Sequence, residues 1–317
     1  MRKKLKIIFL YLSLLIIFIV FLFFGLRIKW FNNILDYFNI ITIQENKYQD
    51  TDLVITAINV DHGDSLLINS KDNKNNRHFA LVDTGTARHS QKVIKCLNKN
   101  KIKKLDYIII SHMHSDHMGG LSEVLKEVDV DEIVLPNYFK VKSQLIRSNK
   151  VRKLIKNKNI KIKNIKPDTK ILIGSAEFNV LYPIVKEKQK LPKDLNNSSI
   201  VGILKYNEFK MMFTGDATTE IEEKIIKNYK QNKVRCNILK LAHHGSQTSS
   251  SLDFLSYIKP KYAVVSSGYD RDILYPHQDI KNRLLKLKIN YYNTRTNGDI
   301  IIAVDQKNYK IYTEFNK

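Results

Sequence analysis

The 317 residues carry 53 Lys+Arg against 31 Asp+Glu, a formal charge of +22, and their 43% hydrophobic content is ample for a packed core. A basic surface favours polyanions such as nucleic acid, teichoic acid or lipid head groups, although a Lys-, Asn- and Ile-rich composition from an AT-rich genome gives the same excess. Only Cys96 and Cys236 occur, with no CxxC, which excludes a thiolate zinc cage and a disulfide framework and leaves open whether the two pair.

Residues 1–6 are a short basic tail. Residues 7–26, "IIFLYLSLLIIFIVFLFFGL", contain no charge. A helix of that length rises about 30 Å, the hydrocarbon thickness of a bilayer. A secretory signal peptide is the rival, but its small-x-small cleavage site is missing, so an uncleaved transmembrane anchor is expected. Arg2, Lys3, Lys4 and Lys6 precede the span and Arg27 and Lys29 follow it. Positive-inside bias therefore puts the amino terminus in the cytoplasm and the remainder outside the cell membrane, on a single-pass anchor. Residues 27–50 read as a linker and 51–317 as one domain.

From Leu53 the texture becomes short β-branched runs, "LVITAINV", "SLLINS" and "HFALVDTG", which predict adjacent strands. "SQKVIKCLNK" and "LSEVLKEV" have helical spacing, with the apolar run "DYIIIS" between them as a strand buried on both faces, and "DEIVLP" follows as another strand. The lysine-rich stretch over residues 140–166 is a nucleic-acid-binding helix or simply a solvated helical face. Beyond it, "AEFNVLYP", "SIVGILKY", "FKMMFTG", "NILKLA", "YAVVSS" and "GDIIIAV" predict strands. "TTEIEEKIIKNY", "SLDFLSYI" and "HQDIKNRLLKL" predict helices. The pattern implies an α/β domain of sheets covered by helices.

The chemistry concentrates in "SHMHSDHMGG", residues 111–120. His112 and His114, two apart at a strand end, project to one side of an extended chain, while Asp116 and His117 open the next helix. Imidazole and carboxylate suit zinc, manganese or iron(II). Protonated, such histidines would repel one another; a bound cation keeps them neutral. Gly119 and Gly120 are expected to let the backbone turn tightly at the helix start.

This His-x-His-x-Asp-His run after a buried strand resembles the signature of the metallo-β-lactamase fold, which implies a four-layer αββα sandwich and two divalent metal ions, Zn2+ or Mn2+. "VDHGDSLLI", "LVDTG", "FTGDATTEIEEKII", "LKLAHHGSQTSSSLDFLSYIKPKYAVVSSG" and "YPHQDIKNRLLKL" resemble the carboxy-terminal domain of the ComEC/Rec2 competence family. The resemblance implies that His112 and His114 hold the first metal and that Asp116, His117 and His244 hold the second. It makes Asp216 of "TGD" the bridging carboxylate. Asp116 doubles as a catalytic residue, joined by His243, which either supports the ligands from behind or faces the substrate, with His277, Ser246 and Asn197 as substrate contacts. Taken alone, Gly-Asp marks an ordinary turn, His-His-Gly a structural one, and His277 a helix N-terminus. Asp83 is expected to orient the ligand loops; Asp64 and Ser65 sit on a tight loop that borders the groove or simply turns.

One departure stands out. "DLNNSSIVGIL" lacks the histidine that most members of the fold give the first metal, and Asn196 or Asn197 lies near the vacant place. An amide oxygen weakens zinc binding there and tilts the site toward manganese or a substrate oxygen. The expected activity is metal-assisted phosphodiester hydrolysis of DNA or another phosphate polyanion. The competing readings are a teichoic acid or phospholipid head-group phosphodiesterase, a β-lactamase proper, and a non-catalytic DNA-capturing module.

Overall fold

The run "LVITA" forms β1 (Leu53–Ala57), and all five of its residues are buried, because it lies inside a sheet covered on both faces. β2 (Leu66–Lys71), β3 (Arg77–Val82), β4 (Lys104–Ile109), β5 (Asp129–Pro136) and β6 (Lys161–Ile165) follow along the chain. Next come β7 (Lys170–Ile173), β8 (Ala176–Tyr182), β9 (Val201–Tyr206), β10 (Phe209–Phe213), β11 (Ile238–Lys240), β12 (Tyr262–Val265) and β13 (Asn290–Asn293). β14 (Ile300–Val304) and β15 (Tyr309–Thr313) end the series. This computed structural model describes residues 48, 50–138, 141–146, 148–184, 190–268 and 274–315; the expected tail, anchor and nearly all of the linker lie outside them. Among the described residues no helix is long and apolar enough to cross a membrane.

The strands form two mixed sheets, ordered β15-β14-β1-β2-β3-β4-β5-β6 and β13-β12-β11-β10-β9-β8-β7. In each, antiparallel hairpins pass into parallel strands: β3 to β6 in the first sheet, β10 to β13 in the second. An apolar layer containing Ile55, Ile68, Val134, Phe178, Met211 and Val264 joins the two sheets face to face. The outer face of the first sheet meets the Ser90–Lys99 and Leu121–Glu127 helices through Val93, Leu97, Leu121 and Val124. The outer face of the second meets the Thr219–Asn228, Leu252–Ile258 and Gln278–Lys286 helices through Ile221, Phe254, Leu255 and Leu284. The layers therefore run helix, sheet, sheet, helix.

Cys96 packs in one outer cluster and Cys236 in the other, so they do not pair; both thiols are free, and burial pushes each up to about 12. The lysine-rich stretch is not one helix. It divides into Val141–Leu145, Asn149–Asn157 and edge strand β6, whose exposed lysines and buried isoleucine alternate at period two. Gly119 and Gly120 also differ from expectation. Gly119 has a helical φ of −62° and Gly120 a φ of −76°. Both are glycine because a Cβ would lie 2.2 Å from the Ser115 carbonyl at Gly119 and 2.2 Å from the Thr84 carbonyl at Gly120. Close approach, not turning, requires them.

Candidate metal centre

The parallel strands of both sheets deliver their following loops to one end of the sandwich, the usual place for a site in a parallel sheet. β4 is followed by Ser111–His117, β10 by Gly215 and Asp216, and β11 by Ala242–Gly245. His112 and His114 lie just beyond β4 rather than in it, yet their rings meet, with His112 Nε2 3.0 Å from His114 Nδ1. The Ser115–Met118 turn of helix carries Asp116 and His117. In "AHHG", His243 and His244 take left-handed φ values of 49° and 55°, a conformation costing about 1–2 kcal/mol per non-glycine residue. Gly245 completes the turn at φ 87°, where a Cβ would stand 2.4 Å from Pro276 Cβ.

Three groups of candidate ligands result: Asp116–His117–Asp216–His244 and His112–His114–Asp216, which share Asp216, and Asp64–Asp83–His117, whose members are already engaged by the Lys240–Asp64 ion pair and the His117 Nδ1–Asp83 contact. Asp216 Oδ2 is 3.2 Å from His117 Nε2, 3.6 Å from His244 Nε2 and 3.8 Å from His112 Nε2. Asp116 Oδ2 is 3.2 Å from His244 Nε2 and 3.6 Å from His117 Nε2. Four ligands about 2.1 Å from a tetrahedral ion stand roughly 3.4 Å apart, so the four-residue group has the right dimensions. His117 Nε2 and Asp216 Oδ1 are buried without a hydrogen-bond partner. A ring nitrogen and a carboxylate oxygen left unsatisfied so close together in a buried site suit a cation between them. The Asp116–His117–Asp216–His244 group fits a cation of the kind the resemblance implied.

Buried acceptors fix the tautomers. His117 Nδ1 is 2.8 Å from Asp83 Oδ2, and His244 Nδ1 is 2.8 Å from the Ser266 carbonyl, so both rings turn Nε2 inward. Asp83 also accepts from Ser111 N and Ser111 Oγ, both at 2.7 Å, which anchors the ligand loop. Without a cation, burial opposes charge on His117 and His244, but the Asp216 carboxylate and its neighbours outweigh it. They raise His117 well above its ordinary value and His244 to about 10. Burial, reinforced by the His117 cation, holds His112 well below its ordinary value. Burial also opposes ionisation of Asp216 and Asp116, yet the facing imidazoles keep both carboxyls well below the usual range.

The remaining expected residues fall around this centre. His243, 26% exposed in its side chain, sets Nε2 3.9 Å from Asp216 Oδ2 while Nδ1 pairs with the Thr248 hydroxyl. Ser246 is buried and accepts from Thr248. His277 stands at the N-cap of the Gln278–Lys286 helix, accepts from Gln247 N and donates its backbone N–H to the Gly245 carbonyl, so it packs against the turn that carries His244. Asn197 is committed elsewhere: its amide oxygen accepts from the Thr218 hydroxyl and its nitrogen donates to Glu220. The neighbouring Asn196 is the one whose side-chain oxygen is buried without a hydrogen-bond partner.

Sequence reasoning missed two residues. Lys240, 1% exposed at the end of β11, places Nζ 2.8 Å from Asp64 Oδ2. Asp64 is thus no plain turn residue; it is buried between Lys240 and the Nδ1 of His244, 3.5 Å away. His62 lies with its ring 4.5 Å from that of His244 and its Nε2 3.9 Å from Asp116 Oδ2. A lysine inside the apolar run "NILKLA" was the available signal.

The model of the metallo-beta-lactamase superfamily matches residues 58–269. Among curated proteins, the chain is 27% identical over 262 residues to ComE operon protein 3 of Bacillus subtilis (strain 168), covering 78% of this chain and 32% of that protein. It is 29% identical over 250 residues to competence protein ComA of Neisseria gonorrhoeae, again covering 78% and 32%. The chain thus spans about a third of the length of these relatives. Of solved structures, the metallo-beta-lactamase fold protein YhfI from Bacillus subtilis superposes with TM-score 0.50 at 13% identity, over 76% of this chain and 97% of that one. CmlA, a diiron beta-hydroxylase from Streptomyces venezuelae, gives 0.51 at 11% identity over 81% and 55%. These structures share the fold alone. By its family match, its two mixed sheets and its shared-aspartate ligand groups, the chain belongs to the metallo-beta-lactamase superfamily.

Proposed function

We propose that the chain is a membrane-anchored, metal-dependent phosphodiesterase acting on DNA or another phosphate polyanion. Residues 7–26 would span the cell membrane, and the domain over 51–317 would lie outside. The observation that carries the hydrolytic reading is Asp216 standing between two ligand groups, the arrangement that two-cation hydrolysis needs. The similarity to curated proteins named ComE operon protein 3 and competence protein ComA, together with the resemblance to the ComEC/Rec2 competence family, favours DNA as the polyanion. So does the charge of +22.

His112, His114 and Asp216 would hold one cation, and Asp116, His117, Asp216 and His244 the other. Bound there, divalent cations supply Lewis acidity that makes water a usable nucleophile near neutral pH and offsets charge growing on phosphate oxygens. The protein's own groups do the rest. Asp116 is the carboxylate at the mouth, 22% exposed against 2% for Asp216, and is held ionised, so it can orient an attacking water and take its proton. His243 turns Nε2 toward the same space, where it can donate to a phosphoryl or leaving-group oxygen.

Hydrolysis of DNA and of bis(p-nitrophenyl) phosphate, with manganese or zinc supplied, tests the reading. Asp116→Ala should lower the rate at least about a hundredfold. DNA cut equally well by that variant sinks the mechanism. DNA bound by the metal-loaded wild type but left intact favours a capturing module instead.

A further inference from the structure

The two sheets end in open edge strands, β13 in one and β15 in the other. Between them lies a groove of about 490 Å³ lined by Lys261, Tyr262, Tyr292, Lys307, Tyr309 and Lys310. It continues across Tyr262 and Tyr292 into a second groove of about 540 Å³ that adds Lys281, Leu285 and Tyr291. Five of the sixteen tyrosines of the chain line this trough, and no carboxylate does so among the described residues. Tyr262, Tyr292 and Tyr309 close the side of the intersheet core, which accounts for their apolar packing. It does not account for Tyr291 at 39% exposure, for Leu285 at 79%, or for four lysines beside them.

Three of the rings pack on one another and on the core, and Tyr291 stands exposed beside them. Tyr262 is 6.1 Å from Tyr292 at 39° and 6.3 Å from Tyr309 at 87°, so none lies flat on another, and Lys261 Nζ sits 5.3 Å above the Tyr262 ring. Alternating aromatic faces and ammonium groups match a chain of unpaired bases on a phosphate backbone. A duplex hides its base faces, and a polyanion without bases would use the lysines only.

We propose that this trough is a binding surface for single-stranded nucleic acid, separate from the metal centre. The inference rests on the phosphodiesterase reading in one respect, since it narrows that substrate to single strands. Geometry links the two places. Tyr262 opens β12, and Ser266, four residues on, receives the His244 hydrogen bond. That is about 13 Å along the buried interior of the strand.

The test uses the full chain in mild detergent, with a chelator present so that nothing is cut. Fluorescence anisotropy follows a labelled oligothymidylate of about 20 nucleotides and a duplex of equal length. The oligothymidylate should bind about tenfold tighter than the duplex. Tyr291→Ala should weaken it at least about fivefold and leave the duplex unchanged, while Lys307→Glu with Lys310→Glu should weaken both. Equal binding of duplex and single strand overturns the proposal. So does a Tyr291→Ala protein that binds as the wild type, including the case in which only the lysine pair matters and the attraction is to any polyanion. Bis(p-nitrophenyl) phosphate hydrolysis, measured separately with metal, should be unaltered in Tyr291→Ala. Its absence from the wild type would remove the phosphodiesterase reading and leave the binding result standing.

Discussion

Replacing Lys240 by methionine takes the ammonium away from a carboxylate that has no water to turn to. Lys240 and Asp64 are each 1% exposed, with Nζ 2.8 Å from Oδ2. Removing one partner of a buried ion pair costs about 3–5 kcal/mol, because the other charge is left in a low dielectric. Asp64 keeps two weaker neighbours, His244 Nδ1 at 3.5 Å and His117 Nδ1 at 4.0 Å. Both imidazoles are cationic in the metal-free protein, so the lower end of that range is expected there. A domain of this size shifts about 2–4 °C per kcal/mol, which makes the expected loss in Tm at least about 6 °C. Thermal unfolding followed by circular dichroism in chelator measures it. The informative comparison is Lys240→Met combined with Asp64→Asn: neutralising the stranded carboxylate should recover most of the loss. Single and double variants that melt together, well below wild type, would show that the lysine acts through packing and that the ion-pair reasoning is wrong.

Two further consequences concern the cation ligands. Asp83→Asn should lower metal affinity about 10- to 100-fold without removing a ligand, because Asp83 Oδ2 holds His117 Nδ1 at 2.8 Å; titration with a competing chromophoric chelator reads this, and unchanged affinity would refute it. In metal-free protein the His244 pKa is raised from 6.5 to about 10. A raised imidazole stabilises the fold fully below its unfolded value and loses that contribution as pH climbs through the folded one. The melting temperature in chelator should therefore fall between pH 7 and 10 (about the span of that shift). Cation affinity should rise over the same window, as a metal must displace these protons. A metal-free Tm that rises across it would contradict the assignment.

What the sequence disclosed follows how locally each feature is encoded. His112, His114, Asp116 and His117 are legible because six consecutive positions carry them and a strand end with the next helical turn presents them. Asp216 is legible only through family resemblance: a Gly-Asp pair says nothing of the sheet pairing that sets it between two loops more than twenty residues away on either side. The Lys240–Asp64 pair is illegible for the same reason. A lysine in a short strand reads as the solvent face until β10 and β12 close around β11. β13 and β15 escaped notice because "NYYN" and "YKIYT" are edge strands, half polar and weakly alternating. Cys96 and Cys236 were undecidable from spacing, since only the layer order puts them on opposite outer faces.

The shared carboxylate is the claim on which the rest depends. Elemental analysis of protein equilibrated with manganese or zinc and then freed of excess ion should find two ions per chain in the wild type. Asp216→Ala, still folded by circular dichroism, should retain at most one, because His112 and His114 alone make a weak pair while Asp116, His117 and His244 remain. A wild type that binds none, or an Asp216→Ala protein that keeps both with undiminished affinity, would contradict the account.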